Sequence, residues 1–191
     1  MKFTTRALYI SIFTSLTAFS AVLYTSCGKT PSGNDNDCQA IACAHGGNCT
    51  NGKCVCPSGY EGNNCEITTR ARYLGGWKVA EKGTTTPARE YQVAIETSNI
   101  DAYHVTLKNV YNYFKAPISA YVIKDTIFIP NQQLEGKVIF GRGYIHTTNI
   151  NATENNTLTM LYEVIDSATQ VVDDFGYYSD LDGSTPSEWT R

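Results

Sequence analysis

The 191-residue sequence has no C-x-x-C pair, no cysteine after Cys65 and only three histidines. Dithiol redox chemistry uses the missing pair, and structural zinc sites usually combine such pairs with well-placed histidines. The run of sequence after residue 65 offers no thiol nucleophile. P-loop, G-x-S-x-G and H-E-x-x-H motifs are also missing, so phosphate-cradling, nucleophile-elbow and zincin chemistry have no residues to carry them. The formal net charge is -3 without a basic stripe, which argues against a nucleic-acid partner. No helical stripe of ten or more residues is present. The expectation is a protein without enzymatic activity, cofactor or metal.

What is present is ordinary for a folded chain of one or two domains: 42% hydrophobic and 17% charged residues. Lys2 and Arg6 precede a mostly apolar run, Ala7 to Leu23. The run has 17 residues and is diluted by Ser11, Thr14, Ser15, Thr17 and Ser20. A spanning helix needs about 20 mostly apolar residues, so residues 1–26 read as a secretory signal. Without them 13 basic and 18 acidic residues remain, a net charge of -5.

Seven cysteines make three pairs and one left over, and Cys27 stands at the end of the signal. The stretch Leu23-Tyr24-Thr25-Ser26-Cys27-Gly28-Lys29 resembles the lipobox of bacterial lipoproteins. It departs from that pattern in having Tyr24, not leucine, three residues before the cysteine. The resemblance implies that Cys27 is acylated, becomes the new N-terminus and anchors the protein in the cell envelope as an outer-membrane lipoprotein. The alternative is a secreted protein whose Cys27 is free or bonded to another chain.

Residues 27–37 hold Gly, Pro, Ser, Asn and Asp and read as a flexible tether. Six cysteines then fall in 28 residues: Cys38, Cys43, Cys49, Cys54, Cys56 and Cys65. So short a segment cannot bury enough apolar surface to offset its ordering entropy. After export, disulfides are the natural staples; a zinc site would have His45 as its only histidine. Spacing alone leaves 15 connectivities open. The segment 38–66 resembles the epidermal growth factor (EGF)-like module, through its cysteine spacing, His45-Gly46-Gly47, Cys54-Val55-Cys56 and Gly59-Tyr60-Glu61-Gly62. The resemblance implies the pairs Cys38–Cys49, Cys43–Cys54 and Cys56–Cys65, and a role in spacing or protein binding. Some members bind calcium just before the first cysteine, where Asn34, Asn36 and Asp37 stand here, with Asn51 beyond Cys49. The short Thr50–Lys53 loop looks like the type that does not require it.

From Gly76 onward, apolar and polar residues alternate. Tyr91, Val93 and Ile95 make one such face, Tyr103, Val105 and Leu107 another. Period two predicts half-buried strands, here over 76–82, 90–97, 103–109, 118–124, 126–130, 137–147, 157–165 and 170–179, with a tight turn at Lys124-Asp125. The stretches 99–102, 131–136 and 149–156 read as loops, and 67–75 as a short helix or turn. The expected class is mainly β: a small disulfide-rich module, then an antiparallel up-and-down barrel over residues 67–191, with a sandwich as the alternative. Gly75-Gly76-Trp77 resembles the G-x-W opening of lipocalins. That resemblance implies one small apolar ligand inside the barrel, with Arg191 covering Trp77. The ten tyrosines from Tyr73 to Tyr178 suit either an amphipathic pocket or ordinary strands. His104 and His146 read as solvated strand residues, and Asp173-Asp174 and Asp180/Asp182 as solvated loop-end pairs. Asn48, Asn151 and Asn155 open N-x-T sequons. The expected partners are the membrane through Cys27, a protein or glycan, or a small apolar ligand.

Overall fold

A computed structural model describes residues 38–147, 156–178 and 183–191. The signal, Cys27, the tether, Asn34, Asn36, Asp37, Asn151, Asn155, Asp180 and Asp182 lie outside the described residues.

Three disulfides staple the first segment: Cys38–Cys49, Cys43–Cys54 and Cys56–Cys65. With every thiol of the segment consumed, none is left as a metal ligand. Strands β1 (Asn48–Thr50) and β2 (Lys53–Val55) form a hairpin. Its turn residues Asn51 and Gly52 both take positive φ, 50° and 73°, the pairing that suits a two-residue hairpin. Two short strands follow, β3 (Tyr60–Glu61) and β4 (Ile67–Thr68), and they pair with each other. A 3-10 turn at Thr69–Arg72 leads into the barrel.

The barrel strands are β5 (Gly75–Glu81), β6 (Arg89–Thr97), β7 (His104–Lys108), β8 (Ile118–Ile123), β9 (Thr126–Leu134), β10 (Lys137–His146), β11 (Thr157–Asp166), β12 (Val172–Phe175) and β13 (Ser187–Thr190). Each pairs antiparallel with its chain neighbour from β5 through β12, and β13 joins β11 to β5. The sheet therefore closes on itself as an eight-stranded barrel, and the sandwich alternative falls away. The eighth position is shared. The first half of β11 pairs with β13 and the second half with β12, so β12 and β13 act as one interrupted strand.

Three sequence expectations are corrected. Residues 131–136 are not a loop: β9 continues to Leu134 and turns on Glu135-Gly136. A bulge opposite Ile139–Gly141 carries the strand past Pro130; proline cannot donate to a ladder and survives at such irregularities. The run 170–179 shrinks to β12, and the closing strand β13 was not anticipated. Asp173-Asp174 is not solvated, and both residues are buried. Lys124-Asp125 does make a two-residue turn, with Lys124 at φ 52° doing what glycine usually does.

Inward positions fill the barrel. Trp77, Trp189, Tyr73, Tyr162, Phe114 and Phe175 head a cluster of nearly inaccessible side chains, with Leu107, Ile127, Ile139, Leu158 and Met160 between them. An eight-stranded interior is about wide enough for side chains to fill. The inward glycines of β10 leave no spare room: a Cβ on Gly141 would lie 2.4 Å from that of Tyr162, and one on Gly143 would lie 2.1 Å from the Met160 sulfur. Arg191 lies over the Trp77 ring at 4.4 Å and donates to the carbonyls of Leu74 and Arg72. Among the described residues no helix is long and apolar enough to cross a membrane.

Candidate functional site: the cleft between module and barrel

Chain direction gives the barrel two distinct ends. The disulfide module sits at the end that carries the β6–β7 loop and the β8–β9 turn. Two arginines of the 3-10 turn fasten it there. Arg70 Nη1 lies 3.0, 2.6 and 2.9 Å from the carbonyls of Ser98, Asp101 and His104. Arg72 is 2% exposed and reaches Glu61 of β3 at 3.0 Å, Asp125 at 3.1 Å and the Lys124 carbonyl at 2.9 Å. Tyr73 also donates to that carbonyl, at 3.1 Å. Burial pushes the Tyr73 phenol far above its ordinary range, so it remains a donor. Gly59 lets the two backbones meet: its φ is +87°, and a Cβ would come 3.0 Å from that of Ala102.

Between these fastenings a cleft of about 560 Å³ stays open. The module supplies Cys56, Pro57, Ser58, Gly59 and Tyr60; the barrel side supplies Thr69, Tyr103, His104 and the run Tyr121–Lys124. Its rings are braced from behind. Tyr60 stacks on His45 at 4.0 Å and 14°, and His45 Nδ1 lies 2.8 Å from the Cys65 carbonyl oxygen. Tyr121 stacks on Phe128 at 5.1 Å and 17°. His104 Nδ1 meets Asp101 Oδ2 at 2.7 Å, while Asp101 Oδ1 accepts the amides of Tyr103 and His104 at 2.9 and 2.8 Å. Its surroundings raise the Asp101 pKa, but these hydrogen bonds outweigh that effect and hold the carboxyl below its usual range. A histidine oriented by a carboxylate can serve a nucleophile, yet no hydrogen bond joins Ser58 to His104.

The far end is closed by polar contacts instead. Glu81 points inward, and its carboxylate accepts from Arg89, Tyr91, Tyr162 and Ser187 at 2.7–3.1 Å. Buried charge is tolerated when its hydrogen-bonding capacity is met in this way. Above it, Arg89 lies 4.5 Å from the centre of the Tyr111 ring. Tyr111 holds φ 60° and donates to Asp173 at 2.9 Å. Asp173 also accepts the amides of Thr85 and Thr86 at 2.8 and 3.2 Å and the Thr86 hydroxyl. That ties the β5–β6 loop across the mouth and explains why Asp173 is buried. Asp174 faces outward beside Glu163, its β11 register partner, and accepts from Ser184 and Tyr178. Burial and then the Asp174 charge push the Glu163 carboxyl up.

Seven of the tyrosines thus divide among three tasks. Tyr73 and Tyr162 fill the core, Tyr91 and Tyr111 close the far end, and Tyr60, Tyr103 and Tyr121 line the cleft. His146 is exposed on β10. Sequence reasoning missed Arg70, Arg72, Asp101 and Glu81. Strand parity carried a signal for one of them: Trp77, Val79 and Glu81 alternate, which puts Glu81 on the inner face.

The architecture defines the class: a closed eight-stranded antiparallel β-barrel with a small three-disulfide module fixed at one end. No protein-family model matches the chain.

Proposed function

We propose that this is a non-catalytic binding protein of the cell envelope, anchored through an acylated Cys27. In this reading the EGF-like module and the lipocalin-like barrel form one rigid head that binds its partner in the cleft between them. The observation that carries the reading is the contrast between the two candidate spaces. Aromatic, indole and aliphatic side chains occupy the barrel interior, while the cleft offers about 560 Å³, within the about 300–1,000 Å³ usual for small-ligand sites. The arginine fastenings fit a binding head better than a loose spacer, since preformed walls reduce the ordering cost of association.

Mass spectrometry of the protein purified from its host tests this. The intact mature N-terminus is expected to carry acyl chains on Cys27, and an unmodified Cys27 ends the anchor. Native spectra are expected to show the head without a bound lipid. A recurrent apolar molecule of fixed mass would instead favour the alternative, a carrier of a small apolar ligand.

A further inference from the structure

We infer that the cleft takes a neutral sugar ring, such as the terminal unit of a glycan; this rests on the cleft being the binding surface. A pyranose presents faces of C–H groups and a rim of hydroxyls. Its C–H groups carry slight positive charge and suit the negative face of an aromatic ring. Its rim needs donors and acceptors at the ring edges. The cleft has both. Tyr60 stands on the module side, and Tyr103, His104 and Tyr121 on the barrel side. The rings of Tyr103 and His104 are 4.7 Å apart, those of His104 and Tyr121 6.0 Å. The bracing by His45, Phe128 and Asp101 means that little side-chain freedom is lost when a ligand settles. Ser58 and Lys124 supply polar groups at the edge, as do the tyrosine hydroxyls. Because Nδ1 of His104 is engaged by Asp101, Nε2 is its remaining polar position.

The charges around the cleft discriminate against other ligands. Arg70 and Arg72 are engaged by carbonyls and carboxylates, which leaves Lys124 as the cation lining the cleft. A phosphate or sulfate group usually recruits more charge and a forked guanidinium. An acyl chain needs an enclosed apolar channel, whereas this cleft is open to solvent and sets hydroxyls and an imidazole among its apolar residues Pro57, Val122 and Ile123.

Saturation-transfer NMR and amide shift mapping on the mature protein test the inference, with N-acetylglucosamine, maltotriose and mannobiose as probes and sodium laurate as the apolar comparison. Transfer to the ring C–H protons of at least one sugar is expected, with amide shifts confined to residues 56–60, 103–104 and 121–124. Tyr121→Ala and, independently, Tyr60→Ala are expected to weaken that binding about tenfold, the loss of one ring contact. Tyr113→Ala keeps it, because that ring lies at the far end, where its hydroxyl donates to the Glu135 carbonyl. Silence from every sugar, or shifts outside the cleft, overturns the inference. If laurate alone moves the cleft amides, the sugar class falls while the cleft stands as a binding surface. If neither kind of probe moves them, both readings fall.

Discussion

Replacing Arg72 by methionine removes the guanidinium at the joint while keeping most of its volume. The loss can be estimated from its partners. Arg72 is 2% exposed and the Glu61 side chain 22% exposed, so this pair is largely withdrawn from water, and an unpartnered Glu61 would be left behind. The Asp125 side chain is 69% exposed, and that contact contributes little. With the donation to the Lys124 carbonyl included, the expected cost is about 2–4 kcal/mol. At roughly 2 kcal/mol per molar of urea, the unfolding midpoint drops by about 1–2 M. Fluorescence of Trp77 and Trp189, both fully buried, reports the transition with the disulfides kept oxidised. The penalty also depends on pH. Burial already raises the Glu61 carboxyl despite the Arg72 charge, with Asp125 adding to it. Losing Arg72 raises it further. A raised carboxyl holds its proton more tightly folded than unfolded, so its contribution favours the fold at low pH and fades as pH rises through the folded value. The Arg72→Met penalty is therefore larger at pH 7.5 than at pH 5, and it shrinks in a Glu61→Gln background, because the two residues are coupled. A loss under about 0.5 kcal/mol, the size of an ordinary surface change, or a penalty unchanged by pH and by Glu61→Gln, would refute the account of the joint.

Two further outcomes follow from the far end. Tyr162→Phe removes a buried donor to Glu81, and the midpoint is expected to show a loss of about 1–3 kcal/mol, whereas a neutral result would mean that Glu81 is not held as described. Glu163→Gln removes a carboxyl whose proton the folded state holds above the ordinary value of 4.5. The Glu163 contribution to wild-type stability therefore declines as pH rises through that folded value. The variant is expected to be the more stable of the two at pH 7.5 and no more stable at pH 4, which paired urea titrations can check.

Much of the fold was legible because its signals are local. Alternation along β6, β7 and β11 exposed one buried face each, and the meander followed from their number and short links. Cysteine crowding before residue 66 marked the stapled segment. Pro130 hides the continuation of β9, because proline ends ordinary pairing and a bulge cannot be seen without the partner strand. Ser187–Thr190 carries little signal, because a four-residue strand has only two inward positions, Ser187 and Trp189. The cleft was illegible for a different reason. Tyr60, Asp101, His104 and Tyr121 belong to separate elements, and no spacing rule joins them. Asp173 and Asp174 read as solvated because acidic pairs usually are; here a tied-down loop on one side and a paired carboxyl on the other reverse that.

The two walls of the cleft have different chemical lifetimes. The barrel wall belongs to a core that contains no cysteine. The opposite wall, Pro57 to Tyr60, lies within the loop closed by Cys56–Cys65, and the His45 that props Tyr60 leans on the Cys65 carbonyl. Reducing that bond frees the loop that carries this wall, and with it the Glu61 that pairs with Arg72. Such a protein is expected to keep its buried tryptophans, at reduced stability, and still lack one wall of the cleft. In the proposed binding reading, competence then becomes a record of oxidation: chains whose staples have not formed lack one wall of the cleft.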